Sequence, residues 1–207
     1  MRTPCFLLLG LSLALAGCST LRRSGLDLNS TRSQDRLSTD PTVRVYSASD
    51  RNTADFYLTD LPPTALPQTG KEADLTPLAG SLVHLHLFLQ PRAGQTPIAD
   101  EACSFTIRQV VFAHGQIGVY SGGGFLTLSR DLGAKSSGGT FRGATLRLTQ
   151  STPGFTDRLG PSEMNGTFSA DRDDRAAATW AALLARAMEA CAKPADGPAA
   201  NTPTAPK

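Results

Sequence analysis

The chain has 207 residues, with 20 lysines and arginines against 18 aspartates and glutamates and a formal net charge of +2. That balance offers no electrostatic case for nucleic acid as a partner, and the one basic pair, Arg22-Arg23, is too short to act as a polybasic run. The length suffices for a single domain with a real hydrophobic core.

At the N-terminus, Arg2 precedes an apolar run from Phe6 to Ala16, and the run closes on Leu15-Ala16-Gly17-Cys18. A charged start, an apolar stretch and small residues before a cleavage point make a secretory signal. The run is too short for a transmembrane helix, which needs about 20 apolar residues. A cysteine directly after two small residues resembles the lipobox of bacterial lipoproteins. The resemblance implies that residues 1–17 are a signal peptide cleaved between Gly17 and Cys18. It also implies that Cys18 carries a thioether-linked diacylglycerol and an N-terminal acyl chain such as palmitate. Several chains on one residue anchor firmly where a single chain does not. The mature protein is then held at a membrane of the cell envelope. Ser19, in place of an aspartate after the cysteine, implies the outer membrane, facing the periplasm. The resemblance ends near residue 20, and the rest of the chain resembles no family. Residues 18–40, rich in Ser, Thr, Arg and Asp, predict a lipidated flexible tether.

Residues 41–192 predict one β-rich domain. Val43–Tyr46, Phe56–Leu58, Ser81–Gln90, Phe105–Phe112, Gln116–Tyr120, Phe125–Arg130, Phe141–Gln150 and Met164–Ala170 read as short strands. In Ser81–Gln90, alternation sets Val83, Leu85, Leu87 and Leu89 on one face and His84, His86 and Phe88 on the other. His114-Gly115 marks a tight hairpin. Gly122-Gly123-Gly124 is expected to interrupt a strand, marking a bulge or a close backbone approach between strands, and Gly133 to Gly139 to form a Gly/Ser-rich loop. Strands this closely spaced, without helices between them, argue for an antiparallel β-sandwich or flattened barrel. A helix over about 172–191 completes the domain. Asp171 is its N-cap candidate, Asp173 and Asp174 fall in its first turn, and Trp180, Leu183, Leu184, Ala187, Met188 and Cys191 form one apolar stripe. Residues 193–207, with four prolines, predict a disordered tail.

With Cys5 removed by cleavage and Cys18 acylated, Cys103 and Cys191 remain. In an oxidising compartment the expectation is a disulfide between them, pinning the helix to the sheet and contributing roughly 4–5 kcal/mol through loop closure. His84 and His86 share a strand face and are weak candidates for zinc or copper ligands, with His114, Asp100, Glu101 or Asp131 needed to complete a set. Two such histidines are more often ordinary strand residues, so no metal and no cofactor is expected. Asp157 and Glu163 are an acid pair in a polar loop, and no nucleophile elbow is present, Ser121 lying one place late for one. Asn29 and Asn165 begin chance glycosylation sequons. The expectation is a non-catalytic, membrane-anchored binding or structural module that meets an envelope protein or cell-wall partner through loops 61–79, 91–102 and 151–163. One alternative is a metal-dependent or hydrolytic envelope enzyme using His84 and His86; another is a binder of a small apolar ligand.

Overall fold

The computed structural model describes residues 24–66, 73–91 and 103–193. The lipobox residues Leu15, Ala16, Gly17 and Cys18 and the tail from 194 on lie outside the described residues, as do Asp100, Glu101 and parts of the loops 61–79 and 91–102. In chain order the strands are β1 (Gly25–Ser30), β2 (Arg36–Thr39), β3 (Val43–Ala48), β4 (Ala54–Thr59), β5 (Ala79–Leu87), β6 (Phe105–Ala113), β7 (Gln116–Gly124), β8 (Leu126–Leu128), β9 (Ser136–Ser151) and β10 (Ser162–Arg172), followed by helix α1 (Asp174–Ala192).

The ten strands form one sheet in the order β2-β1-β10-β3-β4-β5-β6-β7-β9-β8, and a further β9–β10 pairing closes β3–β7, β9 and β10 into a ring. This is the mainly β, flattened barrel with a single helix packed on it that the strand pattern implied. One detail departs from a purely antiparallel sheet. Where β10 leaves for the helix it runs parallel to β3 for two rungs, Asp171 opposite Val45 and Arg172 opposite Tyr46. The Asp173 amide then donates to the Tyr46 carbonyl (3.1 Å).

Alternation sorts the strands into two cores. Facing inward are Tyr46, Phe56, Leu58, Val83, Leu85, Leu87, Phe105, Ile107, Tyr120, Phe141, Leu146 and Phe168. Tyr46 stacks on Phe56 at 5.3 Å, and Phe56 meets Phe168 edge-on at 5.1 Å. Rings buried this fully stabilise by about 2–3 kcal/mol each. Facing outward, Leu82, Val110, Phe112, Ile117 and Val119 meet Ala177, Trp180, Leu183, Leu184 and Ala187 of α1. The apolar stripe predicted for the helix is thus the face that docks. Asp173, not Asp171, is the N-cap, its Oδ1 accepting from the Ala176 amide at 2.8 Å. At the β6–β7 turn, His114 (φ 49°) and Gly115 (φ 89°) both take the left-handed conformation of a type I′ hairpin, as the sequence predicted.

Three expectations are corrected. Residues 24–40 are not a flexible tether. β1 pairs with β10 over its whole length, from Gly25 opposite Thr167 to Ser30 opposite Ser162, and β2 pairs back on β1. Leu26 and Leu28 are fully buried in the inner core, and Thr39 forms a buried polar cluster with Ser81 (2.8 Å) and Gln109 (3.3 Å). The Leu26-x-Leu28 alternation carried this signal, but it was outweighed by the polar composition around it. Next, the glycines at 122–124 do not break β7, which runs through them. A Cβ at Gly122 would overlap the Thr145 carbonyl oxygen, so glycine is what lets β7 and β9 approach. For the same reason β9 begins at Ser136, within the expected loop, and takes in Gly138 and Gly139.

The disulfide is the third correction. Cys103 and Cys191 are free thiols. The Cys103 sulfur lies 2.9 Å from the Phe105 carbonyl and above Gly123, whereas the Cys191 sulfur is 3.9 Å from the Ile117 carbonyl. Those marker residues stand near opposite ends of β7, six residues apart, or about 20 Å at the rise of a strand. A bridge needs Cα atoms within about 7 Å. Burial pushes the Cys191 thiol above its usual range, against an opposing contribution from the Thr152 backbone.

Candidate functional site

Helix α1 covers only part of the outer barrel face. Along β5 the outward positions read Leu82, His84, His86. Leu82 lies in the apolar cluster with the helix, and past it the face turns polar. Two rungs cross this polar part. One carries Tyr57, His84, Arg108, Ser121 and Arg147 on β4, β5, β6, β7 and β9, and the other carries Asp55, His86, Thr106, Gly123 and Thr145 on the same strands. The same-face placement of His84 and His86 read from alternation is therefore correct, with Val83, Leu85 and Leu87 turned inward.

The centre of the face is Asp55. Its Oδ1 accepts from His84 Nε2 and from His86 Nδ1, both at 2.8 Å. A carboxylate acceptor requires a proton on each of the nitrogens that meet it, His84 Nε2 and His86 Nδ1. The two imidazoles differ in setting, His84 being 8% exposed in its side chain and His86 37%. Tyr57 lies flat on His84, the rings 4.8 Å apart and 14° from parallel, which accounts for part of that burial. Partial burial pushes the Asp55 carboxyl up, but the hydrogen bonds and charges of His84 and His86 outweigh it and hold the group below its ordinary value. Tyr57 is pushed up to about 12, first by burial and then by the Asp55 charge, with Arg108 acting in the opposite sense.

The geometry is that of a hydrogen-bonded cluster. Both imidazoles direct a nitrogen at one carboxylate oxygen, and among the described residues no group of three or more His, Cys, Asp or Glu side chains is arranged to hold a metal ion. The partners considered from sequence lie elsewhere. His114 is at the β6–β7 turn, donating its amide to the Leu78 carbonyl, and Asp131 accepts from Gln90. The loop acids are also apart in role. Asp157 Oδ1 accepts from the Tyr120 hydroxyl (2.7 Å) and from the Leu159 and Gly160 amides, while Glu163 stands on β10 opposite Thr145. Burial, and then that bond to Asp157, push Tyr120 upward. Asn165 accepts from the Gly143 amide. Of the loops expected to make contacts, 151–163 lines a cleft of about 370 Å³ together with Leu37, Val111 and Tyr120.

Sequence reasoning missed Asp55, Tyr57, Arg108 and Arg147 as members of this face. Asp55-Phe56-Tyr57 repeats the two-residue period of His84-Leu85-His86, but only the strand register shows that the two sets are neighbours. Comparison with protein-family models, with curated proteins and with solved structures finds nothing that matches the chain.

Proposed function

We propose that the chain is a lipid-anchored, non-catalytic binding module of the cell envelope, acylated at Cys18 and held at the outer membrane facing the periplasm. The observation that carries the binding part of this reading is the uncovered outer face. Its titratable centre satisfies itself through Asp55, His84 and His86, and Thr106, Thr145 and Arg147 around it are exposed to solvent. Aromatic packing fills the barrel interior, which favours recognition on the outside over an internal ligand. Because β1 begins at Gly25, the six Cα steps from Cys18 to Ser24 span at most about 21 Å, so the body sits close to the membrane surface.

Two experiments test the reading. Cys18→Ser is expected to move the protein from the membrane fraction to the soluble fraction; retention on membranes refutes the anchor. Mild crosslinking of envelope fractions, followed by capture of the protein, is expected to retain a reproducible envelope component, and repeated empty captures count against a binding module. A hydrolytic reading draws on one observation: Asp55 engages Nδ1 of the half-exposed His86, the carboxylate–imidazole pairing of a general base. It requires hydrolysis of an envelope ester or amide that His86→Ala abolishes.

A further inference from the structure

The polar face has an electrostatic pattern that its central cluster does not use. Arg108 and Arg147 occupy the same rung with Ser121 between them, two strand spacings or about 10 Å apart. Among the described residues neither guanidinium forms a salt bridge, and the charge of Arg108 acts on Tyr57. Across β4 to β9 these two rungs contain a single acid, Asp55, and its Oδ1 already accepts from two imidazoles. The next acid, Glu163, lies one strand further, on β10. One hydroxyl, that of Ser121, lies between the cations, and Thr106, Thr145 and Thr149 flank them on the same face, with Ser121 and Thr149 bonded to each other at 3.0 Å. Beyond Ser121 the surface dips into a groove of about 520 Å³ lined by Thr145, Arg147, Ser162 and Glu163.

From this arrangement we infer that the face binds an acidic polysaccharide chain. Arg108 and Arg147, in no salt bridge among the described residues, offer planar forks suited to carboxylate or phosphate groups, and they stem from strands two spacings apart. Cations set on strands about 10 Å apart, with a hydroxyl between them and others beside them, suit a polymer that alternates charge with neutral hydroxyls. Tyr57 and His84 are buried, so the accessible part of the rung runs from Arg108 to Arg147, about 10 Å, and a short run of sugar units lies across it. His86 adds a hydrogen-bonding nitrogen at the margin, held in place by Asp55. The inference rests on the binding-module reading and names the chemistry of its partner.

The test uses the full chain carrying Cys18→Ser, so that acyl groups contribute nothing, with polygalacturonate as the acidic polysaccharide and dextran as the neutral control. The expected result is saturable binding of polygalacturonate that weakens as salt rises, with no binding of dextran. Arg108→Gln and Arg147→Gln together are expected to weaken it at least tenfold, each alone several-fold, and to flatten the salt dependence. Both side chains project from the outer face, and an unchanged melting temperature shows that the loss is not unfolding. Equal binding by the double variant overturns the inference, as does binding to dextran. Association with anionic phospholipid vesicles in place of polygalacturonate overturns it too, reassigning the cations to the membrane. If polygalacturonate fails while crosslinked capture still retains an envelope component, this inference falls and the binding module stands; if both fail, both fall.

Discussion

Replacing Asp55 by alanine removes the acceptor shared by His84 and His86, and the two rings are expected to respond unequally. His84 is nearly buried, so its Nε2–H loses its partner with little access to water, which costs about 1–3 kcal/mol. The His86 ring is 37% exposed and exchanges the carboxylate for water, so that bond contributes about 0–1 kcal/mol. Asp55→Ala should therefore cost about 2 kcal/mol in total, nearly all of it through His84. In a domain of this size that lowers Tm by roughly 4–8 °C. Urea denaturation at neutral pH, run as double-mutant cycles, measures the partition: the Asp55–His84 coupling should exceed the Asp55–His86 coupling. If the His86 coupling is equal or larger, or if Asp55→Ala costs less than about 0.5 kcal/mol, the assignment of Asp55 to a buried, stability-bearing bond is wrong. Acid supplies a second reading of the same contact. The folded carboxyl titrates below its ordinary value of 3.8, so the unfolded chain takes up the proton first as pH falls. The stabilisation is complete above that ordinary value and disappears as pH drops through the lower folded one. Asp55→Asn should flatten the wild-type stability curve over that window.

Three further outcomes follow from the fold. Leu28→Ala should cost about 2–5 kcal/mol by urea denaturation, because Leu28 is fully buried in the inner core; a cost near zero would restore residues 24–40 to a tether. Gly122→Ala should destabilise by several kcal/mol, or prevent soluble expression, by driving a methyl group into the Thr145 carbonyl and separating β7 from β9; a wild-type melting curve would refute that close approach. Unreduced, denatured mature protein should titrate two thiols, Cys103 and Cys191, and finding none would show that the chain bridges them.

What was legible in the sequence was what depends on local alternation. The period-2 runs in β5, β6 and β9 and the helical stripe from Trp180 to Cys191 report which side of an element is buried, and a core face leaves that mark wherever the element packs. The misreadings arose where polar or glycine-rich composition met a strand whose partner lies far along the chain. β1 reads as tether by composition, and only pairing with β10, well over a hundred residues away, makes Leu26 and Leu28 core residues. Gly122 marks a close backbone approach, as its glycine run implied, but reads as a breaker because the strand that approaches, β9, is distant in sequence. The candidate site divides in the same way. His84 and His86 were recognisable as a same-face pair within one strand. Asp55, Arg108 and Arg147 join them by register across four other pairings, a placement that no single stretch encodes. The cysteines show the converse error. Elimination and compartment suggested a bridge, yet the register of β7 sets the two thiols near opposite ends of one strand.

The helix also determines where the polar face begins. β5 through β7 need apolar side chains on their outward positions only as far as α1 reaches, so Leu82, Val110 and Val119 give way along the same strands to His84, Arg108 and Ser121. Tyr57 stands on that border, belonging to the apolar cluster that includes Trp180 while its ring lies on His84. The docking of a single amphipathic helix thus stabilises the apolar part of the outer face and holds Tyr57, whose ring in turn shields His84. That shielding sets the Asp55–His84 bond apart from a contact made in water. Without Tyr57 against its ring, His84 would stand in water, where its bond to Asp55 would contribute little.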